Sequence, residues 1–124
     1  MNSTPGAIDT SNIVSVCRDG DALDLSLLRE MLGYFIAENE RRMTSIADAV
    51  RAGNREALRQ VAHAIRGSAA MLGAGRLHDL AWAIELDARS SELPALERAV
   101  DAINREFHAV LAALRATHPD ACRD

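Results

Sequence analysis

Between Leu25 and Leu114 the apolar residues fall three or four positions apart in successive runs. That spacing is the repeat of an amphipathic helix, and it does not fit the strict alternation of a half-buried strand. In the first run Leu28, Leu32, Phe35, Ile36, Met43, Ile46 and Val50 carry the pattern from Leu25 up to Gly53, a residue suited to a helix end. Asn54 is a good N-cap for a second helix from Arg55 to about Leu72, closed by Gly73 and Gly75. Leu77, Leu80, Ala81 and Ile84 place a third helix over 76–89. Ser90-Ser91 then supplies an N-cap for a fourth, which carries Leu96, Val100, Ile103, Phe107, Val110 and Leu114. Pro94 is tolerated in its first turn, and His118-Pro119 ends it. Amphipathic helices with short connections predict an all-α fold, an antiparallel four-helix bundle.

Ahead of the bundle, Ser11 to Cys17 suits a short extra N-terminal helix of one or two turns, and Arg18 to Asp21 breaks the pattern. Residues 1–10 are polar and contain Pro5-Gly6, so they are expected to be a flexible tail, as are residues 119–124. The bundle domain is expected over 11–118. Its connections are too short to house an elaborate active site, so any chemistry must sit on a helix surface.

The composition removes several function classes. A net charge of −4 argues against a nucleic-acid partner. No apolar run approaches the roughly 20 residues needed to span a bilayer, and the N-terminus lacks the basic and apolar regions of a signal peptide. Cys17 and Cys122 show no CxxC spacing and are expected to be free thiols in a reducing cytoplasm. His63, His78, His108 and His118 show neither HxxxH nor HExxH spacing, and no metal is expected.

At about 100° per residue, Leu58, Val61, Ala62, Ile65, Ala69 and Leu72 share one face of the second long helix. His63 lies about 140° from that direction and should point to solvent. Gly67 stands one turn on and Ala70 and Ala74 continue the line, giving a flat platform of small residues. A mid-helix glycine costs about 1 kcal/mol relative to alanine but lets another backbone approach. Arg59 and Arg66 flank the ring, and with Arg55 and Arg76 they predict a locally basic docking surface. An exposed imidazole beside guanidinium groups suits transient attachment of a phosphoryl group. On the third helix His78, Trp82, Glu85 and Arg89 form a second stripe. It reads either as a helix edge packed on its neighbour or as support for His63, with Glu85 accepting from Nδ1 or orienting an arginine. Trp82 is read there as a packing residue. Asn39 points towards the core side, where it is expected to bond a neighbouring backbone group near the bundle end.

The stretch His63-Ala64-Ile65-Arg66-Gly67-Ser68-Ala69-Ala70-Met71-Leu72-Gly73-Ala74 resembles the signature of histidine-containing phosphotransfer (Hpt) domains, His-x-x-Lys-Gly-Ser-Ser followed by Leu-Gly. Phe35 to Ile46, Ala52 to Leu58 and Ile84 to Arg89 resemble neighbouring parts of the family pattern, so the likeness covers about residues 23–115. It implies that His63 accepts a phosphoryl group from a receiver-domain aspartate and passes it to another. The chain would then be a phosphocarrier and not an enzyme, with Mg²⁺ on the partner receiver only. Response-regulator receivers and a hybrid sensor kinase are the partners implied, with the carrier a cytoplasmic monomer that binds neither nucleic acid nor membrane. Arg66, Gly67, Arg59 and Glu85 would support the ring and phosphoryl group, and Arg55, Gly67, Ala70 and Ala74 would dock the receiver. Arg66 replaces the family's lysine, Ala69 its second serine, and Met71 a frequent asparagine. The alternatives are a non-transferring helical module that only binds a receiver, and the phosphoacceptor domain of a chemotaxis-type histidine kinase.

Overall fold

The computed structural model describes residues 4–122. Its helices are α1 (Ser11–Val16), α2 (Leu25–Arg51), α3 (Arg55–Leu72), α4 (Gly75–Asp87) and α5 (Leu93–Thr117). A small antiparallel hairpin, β1 (Arg18–Asp19) and β2 (Ala22–Leu23), fills the break between α1 and α2. α3 packs on α2 and α4, and α5 completes the ring against α4 and α2. The four-helix bundle and its short extra N-terminal helix are thus as the apolar periodicity requires.

Local chemistry explains where the helices begin and end. Asp24 and Asn54 cap α2 and α3, their side-chain oxygens accepting from Leu27 N at 3.0 Å and Ala57 N at 3.1 Å. Gly73 ends α3 in the left-handed region with φ +79°, and the chain turns at once into α4. The start of α5 differs from the expectation. Ser90 and Ser91 donate their backbone N–H groups to Asp87 O, closing a turn, and Glu92 takes the extended N-cap position instead.

The core sets the rotation of α3. Leu58, Ala62, Ile65, Ala69 and Leu72 are fully buried, while Val61 sits half-buried at the edge of their stripe. Each large aliphatic side chain taken from water contributes about 1.5–3 kcal/mol, so the stripe strongly favours this orientation. The opposite face, with His63, is left to solvent.

Both presumed tails are fastened where they are described. Gly6 N donates to Glu106 Oε2 at 2.7 Å, Asp9 N to Gly73 O at 2.9 Å, and Thr10 Oγ1 lies 2.7 Å from His118 Nε2. Residues 4–10 therefore form a strap over the α3–α4 turn and α5, and only residues 1–3 of the expected tail lie outside the described residues. The physical reason is the buried Glu106 carboxylate, which must be satisfied and takes an N–H from Gly6 and an ion pair from Arg76 Nε at 3.3 Å. At the other end Ala121 is buried, and Arg29 Nη2 donates to Asp120 O at 2.9 Å. Ala121 and Cys122 thereby pack against the bundle while Pro119 and Asp120 stay exposed, and 123–124 lie outside the described residues. Cys17 and Cys122 are free thiols, the first buried and the second half-buried. No helix among the described residues is long and apolar enough to cross a membrane.

The candidate site around His63

The His63 side chain is 62% exposed, on the outward face of α3. Its ring is held from α4. Glu85 Oε2 lies 2.9 Å from His63 Nδ1, and Glu85 Oε1 accepts from Arg66 Nε at 2.8 Å. Glu85 therefore performs both roles that the sequence allowed it, and the reading of this stripe as a mere packed edge falls for this residue. Burial pushes the Glu85 carboxyl up, but hydrogen bonds from Arg66 and His63, with the Arg66 charge, outweigh it and hold the group below the ordinary carboxylate range.

This geometry selects a tautomer. An ionised carboxylate has no hydrogen to donate, so the contact to Nδ1 requires the ring hydrogen to be on Nδ1. Arg66 Nη2 also lies 3.2 Å from Nδ1. Donation from Arg66 would demand the other tautomer and would set the Nδ1 lone pair beside Arg66 but also close to Glu85 oxygen. The Glu85 contact is shorter and attractive only with Nδ1 protonated. Nε2 then keeps its lone pair, on a ring that is mostly exposed.

Arg66 is itself clamped. Its guanidinium lies over the Trp82 ring, 4.2 Å from the centroid, while its Nε is bonded to Glu85. Trp82 is 42% exposed and packs at the helix edge, its ring against Arg66 of the neighbouring helix. Gly67 is exposed, and a Cβ built there meets nothing within 4 Å. Its missing side chain leaves open space and serves no contact inside the bundle. Ala70 is exposed beside it.

Other members of the expected surface are placed differently. Ala74 is fully buried, because the left-handed Gly73 ends the helix and the wheel no longer applies beyond it. It cannot be part of a docking platform. Arg55 Nη1 donates to Ala88 O at 3.1 Å and Ser91 O at 2.7 Å, so this residue ties down the α4–α5 connection. Arg59 is turned to Glu56, at 2.7 Å, and Arg89 reaches the same carboxylate at 3.1 Å. With Arg66 on Glu85 and Arg76 on Glu106, most arginines of the predicted basic surface are paired with carboxylates.

Two further features lie behind and beside the site. Ser68, on the far side of α3 from His63, accepts from Asn39 Nδ2 at 2.8 Å, and the same amide nitrogen donates to Phe35 O at 2.9 Å. Asn39 is fully buried in the middle of α2, away from the bundle end, and ties α2 to α3 directly behind the site. Beside Ala64, Ser68 and Met71 of α3, a groove of about 410 Å³ opens between α3, α2 and α1. Tyr34 and Met71, 68% and 65% exposed, stand on its rim. The His63 strip thus has a polar cluster from α4 on one side and an apolar groove on the other. Among the described residues, no group of three or more His, Cys, Asp or Glu could hold a metal ion.

Comparisons with known proteins agree with this arrangement. No curated protein sequence matches the chain. A solved structure, histidine-containing phosphotransfer protein B (HptB) from Pseudomonas aeruginosa PAO1, superposes with a TM-score of 0.78 at 25% identity, over 95% of this chain and 98% of that one. The model of the Hpt domain family matches residues 30–117, which include the whole of α3 and α4 with His63 and Glu85, and the chain belongs to the Hpt domain family.

Proposed function

We propose that the chain is the phosphocarrier of a two-component phosphorelay and that His63 carries the phosphoryl group. The observation that carries this reading is the 2.9 Å contact between Glu85 Oε2 and Nδ1 of an exposed histidine, which leaves the Nε2 lone pair free to attack. In the forward step Nε2 attacks the phosphorus of an aspartyl phosphate on a receiver domain. The N–P bond forms, the P–O bond to the aspartate breaks, and the aspartate leaves as carboxylate. No proton has to depart from Nε2, because the ring hydrogen is on Nδ1. The positive charge that develops on the ring is met by Glu85. Transfer onward to a second receiver is the reverse step.

The receiver supplies the acidic pocket and its Mg²⁺, and in-line positioning there provides most of the barrier lowering. Gly67 and Ala70 give that pocket access to His63, and the apolar groove beside them seats the receiver's apolar surface. Receivers and a hybrid sensor kinase are the proposed partners, and a cytoplasmic monomer is the proposed working form. The similarity to a protein named for histidine phosphotransfer supports the same reading. A receiver-binding module without transfer has less support, since the reactive nitrogen is unobstructed.

The test uses a receiver domain charged with acetyl phosphate and mixed with the full chain. Acid-labile label should pass to the chain and be absent from His63→Gln, whose helicity should be unchanged. Undiminished labelling of that variant would sink the assignment.

A further inference from the structure

Trp82 lies beside the phosphoacceptor cluster, and its partner there is Arg66. We propose that Trp82 is a positioning residue for phosphoryl transfer: its indole face and the Glu85 carboxylate together hold the Arg66 guanidinium against His63, with N–H groups left for the phosphoryl oxygens. The inference rests on His63 being the phosphoacceptor and deepens that reading.

Three observations support it. The guanidinium carbon is 4.2 Å from the indole centroid, within the range of a cation–π contact. Arg66 Nε is fixed at 2.8 Å from Glu85 Oε1, so the planar group is gripped on a face and on an edge. Its Nη2 reaches to 3.2 Å from His63 Nδ1, a nitrogen whose own hydrogen is directed to Glu85. With the ring hydrogen on Nδ1 that nitrogen is no acceptor for Nη2, and on this proposal the guanidinium N–H groups serve the incoming phosphoryl oxygens. Trp82 and Glu85 stand three residues apart on α4, so a single helix face presents both halves of the grip.

The pairing also gives a physical reason for arginine at a position where the resembled motif has lysine. A guanidinium can stack flat on an indole while donating in its own plane, and an ammonium cannot do both. Trp82 and Arg66 thus act as one unit, and the lysine form would lose the in-plane bond to Glu85 or the stack.

Trp82 is the chain's single tryptophan, so its fluorescence reports on the grip directly. The full chain is compared with Trp82→Leu, Trp82→Phe and Arg66→Met. Potassium phosphoramidate serves as a partner-free phosphoryl donor, and labelling of His63 is resolved from the other histidines by ring ¹⁵N–¹H spectra. Labelling of Trp82→Leu is expected to slow roughly three- to tenfold, with Trp82→Phe close to the parent, as a contact of the cation–π class implies. The His63 ring spectra should move in Trp82→Leu and return in Trp82→Phe, and Trp82 emission should change in Arg66→Met. A Trp82→Leu chain labelled at the parent rate with unmoved His63 spectra overturns this inference alone. A parent chain whose His63 takes no label overturns the function and this inference together.

Discussion

Glu85 on α4 meets His63 on α3 through a 2.9 Å contact at Nδ1, so the nucleophile and the group that sets its tautomer belong to different helices. The same carboxylate binds Arg66 through its other oxygen. One residue therefore holds both the ring at Nδ1 and the nearby cation, and in the proposed transfer it would face the charge that develops on attack. Glu85→Gln keeps the shape but offers an amide that can donate as well as accept, so the preference for hydrogen on Nδ1 is lost. Transfer from a phosphorylated receiver is expected to fall by about 10–100-fold, on the scale of losing the hydrogen-bond partner that orients a metal-bound histidine. Ring ¹⁵N shifts of His63 should change from one dominant tautomer to a mixture. Parent-like rates together with an unchanged tautomer would show that Glu85 is only a structural partner.

Gly67 separates stability from function. It lies in the interior of α3 with open space where a Cβ would be. Gly67→Ala should stabilise the fold by about 0.5–1 kcal/mol through helix propensity, measured as a higher midpoint in urea. The same methyl group stands on the surface proposed to meet a receiver, so the rate of transfer should drop. A variant that is more stable and equally fast would remove Gly67 from the docking surface.

The apolar groove makes a separate claim. Tyr34 is 68% exposed on its rim, so Tyr34→Asp should leave the melting temperature within a few degrees of the parent for a surface change. A charge placed there opposes burial against a receiver, and the concentration of receiver needed for half-maximal transfer should rise. The chemical reaction of His63 with phosphoramidate should be untouched. If the receiver dependence of Tyr34→Asp equals that of the parent, the receiver docks elsewhere.

How much of this was legible beforehand depends on where the partners are. The exposure of His63 follows from one helix, because the stripe from Leu58 to Leu72 dictates which face α3 buries. The helix ends at Gly53 and Gly73 could be read for the same reason, since the signal is local. Ala74 could not be placed by a helical wheel, because a left-handed residue intervenes and redirects the chain. Arg55 was misread because its acceptors are backbone carbonyls at Ala88 and Ser91, which every residue possesses and no side-chain pattern marks. The strap over 4–10 was hidden likewise: Gly6 bonds a carboxylate one hundred positions away. Arginines on the site helix were visible, but the carboxylates that pair with Arg66 and Arg76 come from α4 and α5.

Glu56 makes the pH response of the fold testable. Hydrogen bonds from Arg59, then Arg89 and Gln60, hold its carboxyl at about 2, against 4.5 for the ordinary group. The folded value is depressed, so the folded state binds fewer protons than the unfolded chain in this interval. The contribution of Glu56 is present above pH 4.5 and is lost as the pH falls towards about 2. Glu56→Gln removes this titration, so the loss of stability between those limits should be shallower than in the parent. Because the cluster is exposed to solvent, salt should reduce the difference. Urea midpoints measured across that range test this. Parallel curves for the two proteins would show that the ion cluster makes no differential contribution.

Gly73 ties the end of the site helix to the strap. Its φ of +79° is costly for any residue with a Cβ, and the added carbon would lie 1.9 Å from Asp9 O. Gly73→Ala therefore faces two penalties at once: backbone strain of about 1–2 kcal/mol, and a clash relieved only by moving residue 9. The neighbouring bond from Asp9 N to Gly73 O would be lost with that movement. A destabilisation of about 2–4 kcal/mol is expected from urea unfolding, because a native backbone conformation and a buried contact fail together. Amide exchange should quicken at Gly6 and Asp9 in the same variant, since both depend on the strap remaining seated. His63 and Glu85 lie on helices whose own core contacts are untouched, so phosphoramidate labelling at a temperature where the variant is folded should stay near the parent rate. Rapid exchange confined to the strap with labelling retained would separate the fastening of the chain end from the chemistry. Equal stability and unchanged exchange would mean that the close approach of Asp9 to Gly73 is not maintained in solution.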